Sequence, residues 1–336
     1  MTDRRTFLQK SGKGLALLAC PSTLLSFSSE MTLPAKKAWT FGIVADVHHG
    51  MIPDTESRLA TFMEEAMSRE VDFIIQLGDF CMANSKSDAF LQLWNQFKGP
   101  KYHVLGNHDM DLHSKTAAMD YWEMPYNYYS FDRNGIHFIV LDANFLYQEG
   151  KYIDYNKSNF YVDDAYRTFI TDEQIEWLDA ELAATSSPTI IFSHQSLWHY
   201  QWGVKNRLAV QQKLEKYQEK IICCFNGHNH IDYHHIQNGI HYLEINSMSY
   251  QWLGEKYQAK RYDESVHEQY KWLAHTAPYQ DPLYAFATLS PKGKLKIEGV
   301  RSQWLAPSPH EIGLPKQVMG NEYSPVISDY EIKFLL

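Results

Sequence analysis

Five short apolar runs in this chain each stop at residues able to ligate a metal, and that repetition constrains the fold more than any other feature. Phe41-Gly42-Ile43-Val44-Ala45 delivers Asp46 and His48, and Phe73-Ile74-Ile75-Gln76-Leu77 delivers Gly78-Asp79. Tyr102-His103-Val104-Leu105 stops at Gly106-Asn107-His108-Asp109. Thr189-Ile190-Ile191-Phe192 leads to Ser193-His194, and Ile221-Ile222-Cys223-Cys224-Phe225 to Gly227-His228-Asn229-His230. Runs of this length bounded by glycine are the profile of buried strands. Between the first three runs lie helical stripes, Leu59, Phe62, Met63, Ala66 and Met67, then Phe90, Leu91, Trp94 and Phe97, the second stopped by Gly99-Pro100. Strand–helix–strand order implies right-handed crossovers and a largely parallel α/β sheet. The ligand-type residues then gather at its carboxyl edge, where α/β sheets bind ligands.

The second half mixes in antiparallel pairs. Asn134-Gly135 is a hairpin signal between Tyr128–Phe131 and Ile136–Val140, Asn238-Gly239 marks another, and Lys292-Gly293 a third. Thr171-Asp172-Glu173-Gln174 reads as a capping box opening a helix through Ile175, Leu178 and Leu182. No repeat or Gly/Ser linker divides the chain, so one domain is expected over residues 38–304. Residues 250–282, rich in Trp, Tyr and His, read as an insertion, and residues 305–336 as a C-terminal surface tail.

The predicted ligands are Asp46, His48, Asp79, Asn107, His194, His228 and His230. Carboxylate, imidazole and amide oxygen without thiolate suit manganese, iron, zinc or a mixed pair. Seven ligands exceed one closed tetrahedral site and fit two open sites sharing a bridging carboxylate. Two such ions can clamp the attacking and leaving oxygens of a phosphoryl displacement. His108 is placed to move a proton and Asp109 to orient it. Six other histidines, His103, His137, His241, His267, His275 and His310, fall inside strands, helices or loops and read as structure. The four cysteines are too few for a disulfide scaffold; Cys223 and Cys224 sit in a buried strand, and Cys81 reads as packing.

A formal charge of −9 argues against nonspecific binding to nucleic acid, and a small phosphorylated substrate is the expected partner. Residues 1–28 run against that charge, with Arg4, Arg5, Lys10 and Lys13 against Asp3 ahead of Leu15-Ala16-Leu17-Leu18-Ala19-Cys20. Paired arginines before a short apolar run resemble a bacterial twin-arginine export signal. Leu17-Leu18-Ala19-Cys20 also resembles a lipobox, which would make Cys20 a lipid anchor. The expected location is therefore the periplasm or the bacterial envelope.

Asp46-x-His48, Gly78-Asp79, Gly106-Asn107-His108-Asp109, His194 and Gly227-His228-x-His230 together closely resemble the calcineurin-like metallophosphoesterase superfamily, with no ligand position missing. The resemblance implies a four-layer αββα sandwich with mixed sheets. It assigns one metal to Asp46, His48, Asp79 and His230, and the second to Asp79, Asn107, His194 and His228, with Asp79 bridging. It implies that His108, oriented by Asp109, stabilises the transition state or protonates the leaving oxygen. The tyrosine that purple acid phosphatases carry three residues after the bridging aspartate is replaced by Met82, which argues against a coloured ferric site.

A looser resemblance, to manganese-dependent ADP-ribose/CDP-alcohol diphosphatases and related bacterial phosphohydrolases, runs through Tyr128–Asp132, Phe138–Asn144, Gln174–Leu178 and Asn206–Val210. It favours manganese. The expected reaction is hydrolysis of a phosphodiester or pyrophosphate bond by a hydroxide bridging two ions. The alternatives are a phosphomonoesterase on the same site or a non-catalytic binding module of the same fold, which would be expected to have lost ligands. Substrate contacts are expected from loops beside the ligands: His49, His113, Trp198, His199, Tyr200, Trp202 and Asn206, with Tyr250 and Trp252 from the insertion. Aromatic faces there could stack a base or sugar. Lys205 and Arg207 are the candidate contacts for a second phosphate.

Overall fold

A computed structural model describes residues 37–199, 202–318 and 320–335, so the export signal, Cys20 and Tyr200 lie outside the described residues. Residues 36–336 form one compact unit. The first six-stranded sheet has β1 (Trp39–Val44), β2 (Phe73–Gln76) and β3 (Lys101–His103) running parallel. It continues from β1 through antiparallel β15 (Ala285–Ser290), β16 (Lys294–Gly299) and β19 (Tyr330–Lys333). In the second, β12 (Ile240–Glu244), β10 (Ile221–Asn226), β9 (Thr189–Ser193) and β5 (Ile136–Leu141) are parallel neighbours, edged by antiparallel β11 (Tyr233–Gln237) and β4 (Tyr129–Arg133). Smaller sheets join β6 (Phe145–Gln148) to β7 (Lys151–Asp154) and β8 (Arg167–Phe169), β13 (Tyr250–Trp252) to β14 (Thr276–Pro278), and β17 (Gln317–Val318) to β18 (Asn321–Glu322).

Strand alternation sorts each sheet's side chains into two cores. Phe41, Ile43, Phe73 and Ile75 of the first sheet meet Phe138, Val140, Phe192 and Phe225 of the second in one buried cluster. The opposite face of β1 and β2, Val44 and Ile74, packs on Leu59, Phe62 and Met63 of helix α1 (Thr55–Ser68) and on Phe90 and Trp94 of α2 (Asp88–Trp94). On the far side, Ile139, Leu141 and Ile191 pack on helix α4 (Asp172–Ala184), which follows α3 (Lys115–Tyr121), and on α5 (Arg207–Lys216). The layers are therefore helix, sheet, sheet, helix. A last short helix, α6 (Glu264–Gln269), lies in the 250–282 segment.

Local signals act as their chemistry requires. Asn134-Gly135 and Asn238-Gly239 both take left-handed backbone, with φ of 52°, 83°, 50° and 80°, the conformation of tight hairpin turns. Thr171 accepts a hydrogen bond from the Gln174 N–H at the start of α4. Two expectations need correction. The ligands come from two sheets rather than one: β1, β2 and β3 lead to Asp46, His48, Asp79 and Asn107, while β9 and β10 lead to His194, His228 and His230. The C-terminal segment is more than a surface tail, because β19 closes the first sheet and buries Ile332, with Ile327 buried just before it. The alternation Tyr330-x-Ile332-x-Phe334 supplies its apolar face.

Candidate metal centre

Asp46, His48, Asp79, His228 and His230 all have positive φ, between 48° and 69°. Left-handed backbone is rare outside glycine and costs about 1–3 kcal/mol per residue where the surroundings impose it. Each chain reversal after a strand thus turns a side chain into the gap between the sheet ends. Two glycines let the turns nest. A Cβ on Gly106 would lie 2.1 Å from the Asp79 nitrogen, and Gly78, at φ 96°, would put one 2.4 Å from His194 Nδ1.

Six of the seven predicted ligands converge in two groups, and the seventh, Asn107, lines the cavity beside them. Asp46, His48 and His230 form one group and Asp79, His194 and His228 a second, the ligand atoms of each lying within 4.8 Å of one another. Asp79 Oδ2 is 3.6 Å from His48 Nε2 and 3.2 Å from His194 Nε2, which places it between the groups. Asp46 Oδ1 is 3.3 Å from His230 Nε2. Imidazole nitrogens meet at 3.2 Å twice, His48 Nε2 with His230 Nε2 and His228 Nδ1 with His194 Nε2. His194 Nδ1 donates to the Leu77 carbonyl at 2.7 Å and His230 Nδ1 to the Tyr250 carbonyl at 2.8 Å. A carbonyl only accepts, so the Nδ1–H tautomer of each ring would aim the Nε2 lone pair inward, the tautomer a metal ligand needs.

Buried oxygens complete the test of fit. Asp46 Oδ1 and Asn107 Oδ1 are buried without a hydrogen-bond partner, although an unpaired buried acceptor is costly. Asp46 Oδ2, by contrast, accepts from the His228 N–H at 2.9 Å, and Asp79 Oδ1 from the His108 N–H at 2.8 Å. Orphaned oxygens beside converging lone pairs suit a pair of cations with mixed oxygen and nitrogen ligands. Electrostatics agree with so dense a cluster. Burial would raise the Asp79 carboxyl, but the His194, His108 and His48 imidazoles hold it well below the usual carboxylate range. Burial lowers His48 to about 3 against the pull of Asp79. It would lower His194 too, yet the Asp79 and Asp46 carboxylates push that ring up to about 10.

His108 stands at the cavity wall, but its partner differs from the sequence expectation. Its Nδ1 meets Asp111 Oδ2 at 2.8 Å. Asp109 turns the other way and accepts backbone N–H bonds from Asp79, Phe80 and Gly106 at 3.0, 2.8 and 2.7 Å. It ties the Asp79 turn to the Asn107 turn and does not orient His108. Side chains at adjacent positions diverge, whereas the short 3₁₀ turn His108–Met110 brings the residue three positions on back over the ring. Burial would lower His108, but the Asp79 and Asp111 carboxylates push it up to about 9.

A cavity of about 770 Å³ opens beside these groups and is lined by His48, Asp79, Asn107, His108, His228 and His230. Of the expected substrate residues, His49, Tyr250, Trp202 and Trp252 line it. The His49 ring stacks on Phe90 and its Nε2 is tied to Glu56 at 2.8 Å, while the Tyr250 ring packs on His48 and His230. His113, Trp198, His199 and Asn206 are not among its lining residues. Trp198 stacks on His235 behind the site, and the Asn206 amide bridges the N–H and carbonyl of Ile170. His199 Nε2 contacts the Asn321 amide, and the His113 carbonyl accepts from the Lys157 N–H. Lys205 is committed to Asp164, and Arg207 Nη1 to the Val204 carbonyl. Sequence order alone missed Phe160, Tyr161, Arg167 and Trp272, which line the cavity from chain segments far from any ligand motif.

The calcineurin-like phosphoesterase family pattern matches residues 40–232. The chain belongs to that family. Its fold and ligand set are those of a metal-dependent phosphoric ester hydrolase. The chain is 28% identical to purple acid phosphatase 15 of Arabidopsis thaliana over 164 residues, which are 41% of this chain and about a quarter of that protein's length. It is 24% identical over 268 residues to a manganese-dependent ADP-ribose/CDP-alcohol diphosphatase of Oryza sativa subsp. japonica, covering 62% of this chain and 82% of that one. A dimetal phosphatase structure from Danio rerio superposes with a TM-score of 0.58 at 18% identity, over 80% of this chain and 99% of that one, a likeness of fold. Met82, three residues after Asp79, lines the cavity.

Proposed function

We propose that this protein hydrolyses a phosphodiester or pyrophosphate bond in a small, nucleotide-type substrate, with manganese as the favoured metal. The cavity carries this reading: about 770 Å³ is far more room than an orthophosphate group fills, and Tyr161, Trp202, Trp252 and Trp272 give it flat aromatic walls. Asp46, His48 and His230 would hold one ion, Asn107, His194 and His228 the other, with Asp79 shared. Two ions bound there supply Lewis acidity and neutralise charge that develops on the ester oxygens. His108, held by Asp111 and favoured in its protonated form, gives a proton to the leaving oxygen. The Asp109 bonds hold the two turns in register. The relative named as an ADP-ribose/CDP-alcohol diphosphatase supports the choice of substrate class and metal.

The test is kcat/KM with manganese on bis-p-nitrophenyl phosphate, p-nitrophenyl phosphate, ADP-ribose and a CDP-alcohol. The diester or a pyrophosphate should lead. A monoester ahead by more than about tenfold, roughly 1.4 kcal/mol of transition-state stabilisation, would make the protein a phosphatase instead. Export rests on Arg4 and Arg5 ahead of a short apolar run, and no helix among the described residues is long and apolar enough to cross a membrane. Arg4→Lys with Arg5→Lys should trap the protein in the cytoplasm, and unchanged fractionation would reject that route.

A further inference from the structure

Among the described residues, Arg167 is the only lysine or arginine that lines the cavity. Its Nη1 donates to the Phe160 carbonyl at 3.2 Å, and its Nε lies 3.4 Å from Asp164 Oδ1. Asp164 is also committed to Lys205, so the three groups together carry one net positive charge. Nη2 has no hydrogen-bond partner among the described residues. The guanidinium thus has a fixed root and a free donor edge.

The backbone around it is strained and pinned. Thr168, the next residue, has φ of 70°, a genuine outlier for a β-branched side chain. Its N–H donates to the Tyr155 hydroxyl at 2.8 Å and its carbonyl accepts from the Lys205 N–H at 2.9 Å. The same segment grips the His108 turn. The Ser158 hydroxyl donates to the Asp111 carbonyl at 2.9 Å, the Ser158 N–H to the Met110 carbonyl at 3.1 Å, and the Phe160 ring lies 5.7 Å from that of His108. Tyr161, 64% exposed, has its ring 6.3 Å from His108 and lines the same cavity. Strain that persists against such a cost marks a conformation with a use, and here it holds Arg167 in the wall of the cavity that His108 also lines.

We infer that Arg167 binds the second, non-reacting phosphate of a pyrophosphate-linked substrate while the phosphate under attack lies at the metal centre. A planar guanidinium with a free edge suits a phosphate's paired oxygens, and the net charge of its cluster offsets the second negative charge that a single-phosphate diester lacks. This inference rests on the diester-or-pyrophosphate reading and narrows it to pyrophosphates. Arg167 is a specificity-determining residue, not a proton donor.

The experiment compares the manganese-loaded full chain with Arg167→Ala and Arg167→Lys on ADP-ribose and on bis-p-nitrophenyl phosphate, with thermal melting to confirm folding. Arg167→Ala should lower kcat/KM for ADP-ribose about 10–100-fold, mainly through KM, and change the diester less than about threefold. Arg167→Lys should recover part of the loss. Equal losses on both substrates would reassign Arg167 to holding the loop, and no loss on either would overturn its role. Wild-type protein that cleaves the diester but not ADP-ribose would overturn the pyrophosphate inference alone. Wild-type activity confined to the monoester would overturn the underlying reading as well.

Discussion

The two aspartates after His108 should fail in different ways when neutralised, because the structure gives them opposite jobs. Asp109 is buried and accepts three backbone N–H bonds that join the Asp79 and Asn107 turns. A buried backbone N–H left without its acceptor costs about 1–3 kcal/mol, and an asparagine there would turn an amide N–H₂ toward N–H donors. Asp109→Asn should therefore cost about 3–5 kcal/mol of stability and reduce metal content with it. Asp111 meets His108 through Oδ2 at 2.8 Å and accepts from the Ser158 hydroxyl through Oδ1 at 3.1 Å, at a half-buried side chain. Asp111→Asn keeps the side chain's shape and an oxygen acceptor for Ser158, so it should cost less stability than Asp109→Asn, about 1–2 kcal/mol. It should lower kcat about 5–30-fold through loss of one charge-assisted contact worth about 1–2 kcal/mol. The sign of the pH effect follows from His108. Its protonated form is favoured partly by the Asp111 carboxylate, so removing that charge lowers its pKa, and the alkaline limb of kcat should move to lower pH. Denaturant unfolding, elemental analysis and kcat against pH on the two variants separate the cases. An Asp111→Asn enzyme with unchanged kcat and pH limb, or an Asp109→Asn protein as stable as wild type, would refute the assignment.

Two further perturbations have definite expectations. Lys115 is buried between Asp142 at 2.6 Å and Asp154 at 2.8 Å and over the Phe145 ring, so Lys115→Met should cost about 3–5 kcal/mol by leaving Asp142 buried and uncompensated; chemical denaturation measures it, and a loss under about 1 kcal/mol would show the pair to be expendable. Burial pushes Glu244 up to about 8 despite hydrogen bonds from Ser196 and Asn229, so its contribution is complete at acid pH and is lost as pH rises toward 8; wild type should lose up to about 4 kcal/mol between pH 5 and 8 that Glu244→Gln does not, and parallel curves for the two would reject this origin.

The sheets and the candidate metal site are legible because each is written locally. An apolar run with a ligand-type residue a few positions past its end specifies both a strand and what stands there, and Asp46, Asp79, Asn107, His194 and His228 all follow that rule. What was illegible depended on direction or on distance along the chain. Asp109 beside His108 reads as its partner until the turn shows that position three residues on, Asp111, comes back over the ring. The i to i+3 spacing was a usable signal. Proximity in sequence misplaced Trp198, His199 and Asn206, because the chain after His194 turns behind the second sheet, where Trp198 and the Asn206 amide find packing and backbone partners. Arg167 carries no sequence mark; the pairing of β8 with β6 and the tie from Ser158 to Asp111 bring it to the cavity that His108 lines. The last strand, β19, was hidden by the prolines that precede it.

The central claim is a pair of metal ions sharing Asp79, and metal stoichiometry tests it most directly. Full-length protein saturated with manganese and freed of excess should carry about two ions per chain by elemental analysis, and Asp79→Asn, folded by circular dichroism, should carry fewer than about one because both sites lose a ligand. One ion or none in the wild type, or two retained in the variant, would contradict the account.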